Sequence, residues 1–137
     1  MPGLDSIASS FEPQPKKDRL AEVRKPRYVA AIDIGTNSTH LLVACIDPTL
    51  NSFSIDYAEK ATTRLGEFEL ESGDLTEIAM DKVFETLKRF KELAFSYQVE
   101  QLVIAATSAV REAPNGLHFL NRIKEELELE VDLISGV

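Results

Sequence analysis

From Tyr28 onward, short apolar runs alternate with polar, turn-forming stretches, and the spacing of those runs predicts strands and helices in a mixed order. Tyr28-Val29-Ala30-Ala31-Ile32 is a continuous apolar run, the pattern of a strand buried on both faces. Asp33 stands at its end, and Gly35, Thr36, Asn37 and Ser38 supply turn chemistry before a second run from Leu41 to Ile46. The two runs therefore resemble a hairpin, closed downstream by Asp47-Pro48. Phe53, Ile55 and Tyr57 then alternate with polar residues, which predicts a third, half-exposed strand running on toward Lys60.

Beyond this point the period changes from two to that of a helix. Asp74-Leu75-Thr76-Glu77 has capping-box spacing, and Ile78, Val83, Phe84, Leu87, Phe90 and Ala94 recur at helical intervals. This predicts an amphipathic helix of about twenty residues. Leu102-Val103-Ile104-Ala105-Ala106 reads as another buried strand, with Thr107-Ser108-Ala109-Val110-Arg111 leading off its C-terminal end. After Pro114 and Asn115, the spacing of Phe119, Leu120, Ile123 and Leu127 predicts a second helix, and Val131, Leu133 and Ile134 a last short strand. The order β-β-β-α-β-α-β predicts an α/β fold, a mixed sheet with helices packed on it.

Composition narrows the class. A chain of 137 residues with 44% hydrophobic content supports one domain with its own core, expected over residues 28–137. Residues 1–27 carry four prolines and no sustained period, and they read as a flexible, solvated tail. Cys45 is the single cysteine and lies in an apolar run, so it is expected in the core of a protein from a reducing compartment. No apolar run approaches the roughly 20 residues that span a bilayer, and the first 27 lack the apolar segment of a signal peptide. The expectation is a cytoplasmic protein without a membrane partner. A net charge of −8 argues against a nucleic-acid polymer as partner, because neutralising a phosphate backbone needs clustered cations. Any phosphate ligand must be held locally.

The most informative stretch is Asp33-Ile34-Gly35-Thr36-Asn37-Ser38-Thr39-His40 between two apolar strands. A glycine lets the backbone turn tightly enough for its N–H groups to face an anion, and Thr36, Asn37 and Ser38 add short polar side chains. Asp33 alone would repel phosphate, but a carboxylate can hold Mg2+ that bridges to phosphate oxygens. A simple hairpin turn with an Asx-type cap accounts for the same residues, and both readings stay open. Lys60, Arg64 and Arg111 follow predicted strands, where open α/β sheets place ligands, and each arginine can grip phosphate bidentately. The competing reading for each is a surface charge. His40 is the only histidine near the loop, and no second His or Cys stands at zinc-ligand spacing. The acidic run Glu125 to Glu130 reads as the exposed face of a helix end.

These residues resemble the exopolyphosphatase and guanosine pentaphosphate phosphohydrolase family of the actin-like ATPase superfamily. Four segments match in order over about residues 28–137: Asp33-Ile34-Gly35-Thr36-Asn37-Ser38, Arg64-Leu65-Gly66, Ala106-Thr107-Ser108-Ala109-Val110-Arg111-Glu112-Ala113, and Ile134-Ser135-Gly136. The resemblance implies a ribonuclease H-like half-lobe and Mg2+-assisted hydrolysis of a terminal phosphoanhydride, in polyphosphate or guanosine pentaphosphate. It also implies Asp33 in the metal shell, Gly35, Thr36, Asn37, Ser38, Arg64 and Arg111 as phosphate-binding residues, and a homodimer at full length. In that family a Glu-Glu-Ala segment carrying the water-activating glutamate follows Ile-Ser-Gly. The sequence reaches Val137 before any such segment, so the expectation for this chain is half a phosphate site with little or no hydrolase activity. The alternative is a non-catalytic module that binds polyphosphate or guanosine pentaphosphate, and a third possibility is a nucleotide-using kinase lobe, against which the fourth-strand segment counts.

Overall fold

In a computed structural model, which describes residues 25–135, strand β1 (Arg27–Ile34) occupies the centre of a five-stranded sheet. Its buried residues are Ala30, Ile32 and Ile34, alternating with exposed Ala31 and Asp33. On one side β1 pairs antiparallel with β2 (Ser38–Asp47), which pairs in turn with β3 (Ser52–Thr62). On the other side it pairs parallel with β4 (Gln101–Ala106), and β4 with the two-residue β5 (Asp132–Leu133). The strand order is β3-β2-β1-β4-β5, a mixed sheet as predicted. Up to residue 24, the expected N-terminal tail lies outside the described residues, and β1 opens at Arg27, one residue before the predicted boundary.

Among the described residues three helices connect and cover the strands. Helix α1 (Glu77–Ser96) has the expected length, and its buried Ala79, Met80, Val83, Leu87, Phe90 and Ala94 recur at helical spacing against the sheet. Its N-cap is Thr76, whose Oγ1 accepts from the Ala79 amide at 3.1 Å, rather than Asp74 as the capping-box spacing suggested. The reason is local: Leu75 is held in an antiparallel bridge to Phe68, so the backbone stays extended for one more residue. Helix α2 (Ser108–Glu112), a single turn absent from the predicted order, leads off β4, and α3 (Gly116–Leu127) follows. Gly116 is required by close packing. A Cβ there would lie 1.9 Å from the Val110 carbonyl oxygen.

The steps from β1 to β4 and from β4 to β5 are both parallel and move the same way across the sheet. Right-handed crossovers therefore place their helices on one face. That face carries the core, with Ala30, Ile32, Ile34, Leu41, Val43 and Ile104 packed under Phe90, Phe119 and Ile123. The opposite face corrects the expectation of strands buried on both sides: among the described residues no helix covers it, and Val103 is 43% exposed and Phe53 71%. Cys45 is only half-buried, beside the open end of β3. Among the described residues no helix is long and apolar enough to cross a membrane.

One ion pair ties the edge of the sheet to α1. Arg89 Nη1 lies 2.5 Å from Glu59 Oε2, and the Tyr57 hydroxyl donates to Glu59 Oε1 at 3.1 Å. The Arg89 guanidinium, followed by the Tyr57 hydroxyl, holds the Glu59 carboxyl below its usual range against the opposing effect of burial. A carboxyl depressed in the folded state stabilises above its unfolded pKa, and that contribution disappears as pH falls through the folded value. Glu59→Gln should therefore destabilise the protein at neutral pH, with the gap to wild type closing below about pH 4, as thermal melts across a pH series will show. Phe90, fully buried in the core, should cost about 3–5 kcal/mol on replacement by Ala, whereas half-exposed Phe95→Ala should cost under about 1 kcal/mol in urea unfolding.

Candidate functional site

Because β1, β4 and β5 are parallel, their C-terminal ends lie at one end of the sheet, where β2 starts and antiparallel β3 finishes. This collects residues distant in sequence: Asp33 and the turn 35–38, the turn 63–66 after β3, Thr107 to Arg111 after β4, and Ile134 after β5. The turn after β1 is closed by its own backbone, with the Gly35 amide donating to the Ser38 carbonyl at 3.0 Å. A Cβ on Gly35 would sit 2.9 Å from that carbonyl oxygen, which accounts for glycine at the position. Since the Gly35 amide is engaged, the groups left to face an anion are the amides of Thr36 and Asn37. Among the described residues no backbone carbonyl accepts from either. Both side chains are exposed, whereas Ser38 is only 7% exposed.

The turn does not stand alone. The amides of Thr63 and Arg64 both donate to the Asn37 carbonyl, at 3.1 and 3.0 Å, and the Gly66 amide donates to the Thr36 carbonyl at 2.8 Å. Beneath them the buried hydroxyls of Thr39 and Thr63 are 3.0 Å apart. From the other side the Ser108 hydroxyl lies 3.3 Å from Thr36 Oγ1, and the Thr107 amide donates to the Ile34 carbonyl at 3.4 Å. Sequence reasoning does not single out Thr63, Gly66 or Ser108 individually as site residues. Thr36 and Ser108 are 72 positions apart, so no local pattern shows their contact.

The candidate cations sit around this turn without converging on it. Arg64 has a left-handed backbone (φ 52°) and points to Glu67 across an exposed 3.7 Å ion pair. Arg111, in the last turn of α2, donates through Nη1 to the Ile134 carbonyl, which fastens the segment after β5 to the same end of the sheet. Gly136 lies outside the described residues. Lys60 lies further along the uncovered face, in the cross-strand row Ala105–Asp33–His40–Lys60. Asp33 is exposed at the head of a shallow depression of about 360 Å³ floored by Ala31, Leu42 and Val103. Among the described residues no three His, Cys, Asp or Glu side chains group to cage a metal. Asp33 therefore belongs to no such group, and a carboxylate oxygen is a hard donor of the kind that Mg2+ takes.

The arrangement can be compared with known proteins. The Ppx/GppA phosphatase family model matches residues 42–137, which takes in the turn 63–66, Arg111 and the β5 segment. Mycobacterium tuberculosis exopolyphosphatase 1 is 34% identical over 109 residues, covering 79% of this chain and 31% of that protein. A bifunctional 3-dehydroquinate synthase/phosphatase of Fusobacterium nucleatum is 28% identical, covering 97% of this chain and 21% of that protein. The crystal structure of the Aquifex aeolicus Ppx/GppA family member superposes with a TM-score of 0.76 at 35% identity, over 80% of this chain and 35% of the other. The chain thus spans about a third or less of the length of the relatives it matches. The five-stranded mixed sheet with its helices is the actin-like ATPase fold that these neighbours share. With the family model matching most of its length and its sheet superposing on a solved member, the chain belongs to the Ppx/GppA phosphatase family.

Proposed function

We propose that this chain supplies the phosphate-binding half of a Mg2+-dependent exopolyphosphatase or guanosine pentaphosphate phosphohydrolase, with the terminal phosphate held at the turn 35–38. The observation that carries this reading is the pair of Thr36 and Asn37 amides left open at a turn whose Gly35 amide and Thr36, Asn37 and Ser38 carbonyls are all bonded. Fixed N–H dipoles of this kind bind an anion without reorganising, which suits phosphoryl transfer, where the protein's task is positioning and charge stabilisation. Mg2+, when bound, would neutralise phosphate charge beside the turn, and Asp33 would hold it. Arg64 and Arg111 flank the turn from the β3 and β4 sides as steering charges. Arg111 must release the Ile134 carbonyl to reach a ligand, so Arg64 carries more of the initial attraction.

Asp33 stands exposed beside the turn, a position suited to holding an anion through a shared metal ion. A module that binds polyphosphate or guanosine pentaphosphate without cleaving it is therefore the second reading. Calorimetry with tripolyphosphate tests both. Binding should strengthen with Mg2+, Asp33→Asn should abolish that increment, and Arg64→Ala should weaken binding about tenfold with or without the metal. An absence of binding, or binding indifferent to all three changes, would remove the phosphate site; phosphate release by the purified chain would decide for catalysis.

A further inference from the structure

The contact between Gly66 and Thr36 brings together two segments that resemblance to the family separates into distinct motifs. The Gly66 amide donates to the Thr36 carbonyl at 2.8 Å, so the two backbones lie against one another. A Cβ built on Gly66 would stand 2.2 Å from Thr36 Cγ2, far inside van der Waals contact, 3.3 Å from the Thr36 carbonyl oxygen and 3.5 Å from Thr36 Cβ. Gly66 does not have a left-handed φ, so the requirement for glycine here is space rather than backbone angle. Two residues earlier, Arg64 does take a left-handed φ of 52° although it is not glycine. The strain is held by the bonds of the Thr63 and Arg64 amides to the Asn37 carbonyl and by the Glu67 amide on the Arg64 carbonyl at 3.1 Å.

We propose that Gly66 is a positioning residue for the phosphate turn: the Thr63–Gly66 segment is a template against which Thr36 and Asn37 are pressed, and the missing side chain of Gly66 sets where their amides point. This rests on the reading that the turn 35–38 binds phosphate, and it adds a steric determinant that touches no ligand. The geometry singles out one atom. Removing Thr36 Cγ2 relieves the 2.2 Å clash; of the other two nearest atoms, the carbonyl oxygen at 3.3 Å asks for a shift of a few tenths of an ångström and Cβ at 3.5 Å is ordinary contact. The effect of a methyl at position 66 should therefore depend on the methyl at position 36, and a double-mutant cycle isolates that dependence.

The experiment uses the full chain in four forms: wild type, Gly66→Ala, Thr36→Ser, and the double variant. Amide chemical shifts of residues 35–38 are followed by NMR, and tripolyphosphate affinity in the presence of Mg2+ by calorimetry. Gly66→Ala should weaken tripolyphosphate binding about tenfold when Thr36 is intact and less than about twofold in the Thr36→Ser background. The amide shifts should be displaced in the first case and return toward those of the Thr36→Ser single variant in the second. Equal losses in both backgrounds, unmoved amides in the turn, or unfolding of both forms that carry Gly66→Ala would overturn the proposal. If no form binds tripolyphosphate while the amide shifts still follow the Thr36 methyl, the phosphate reading fails and the steric template stands.

Discussion

Everything at the candidate site depends on β1 being hydrogen-bonded along both edges. Eight residues pair antiparallel with β2 and six pair parallel with β4, so the direction and height of β1 are fixed from two sides. Apolar Ala30, Ile32 and Ile34 press one face of that strand into the core and leave Asp33 on the other, at the end of the alternation. A one-residue slip would bury the carboxylate and expose Ile32 and Ile34, a cost large enough to exclude the alternative register. The placement of Asp33 is thus a consequence of hydrophobic packing several residues away.

From there the structure works by anchoring one turn from three directions. The segment after β3 bonds the Thr36 and Asn37 carbonyls, the segment after β4 reaches the Thr36 hydroxyl, and Gly35 closes the turn on itself. The Thr36, Asn37 and Ser38 carbonyls are satisfied while two amides stay open, and the proposed anion site rests on this in a protein whose net charge is −8. On the proposed reading, long-range attraction of a polyanion would be weak in such a background, and local preorganisation would have to supply the affinity. The exposed pairing of Arg64 with Glu67 and the bond from Arg111 to the Ile134 carbonyl are consistent with this, since both cations are partly compensated within the fold.

Much of this was legible in the sequence where one period dominates. The twenty-residue helix, the hairpin of β1 and β2 and the strand at Gln101–Ala106 follow from hydrophobic spacing, and the turn at 35–38 from its composition. What escaped comes from contacts between segments that hydrophobic spacing does not show, and from one element too short to show a period. Leu75 pairing with Phe68 moved the helix cap from Asp74 to Thr76, and the one-turn helix α2 is too short to show a period. The apolar run of β1 suggested burial on two faces, whereas both helical crossovers fall on the same side. Gly66 was visible as part of a short motif, but its reason, the lack of room beside Thr36, exists only after folding.

The most direct measurement is a crystal of this chain soaked with Mg2+ and a non-hydrolysable tripolyphosphate analogue. Density for a terminal phosphate within hydrogen-bonding distance of the Thr36 and Asn37 amides, with the metal between it and Asp33, is the result expected. An anion bound elsewhere, for instance at Lys60 on the uncovered face or beside α1, with the turn empty, would contradict the account.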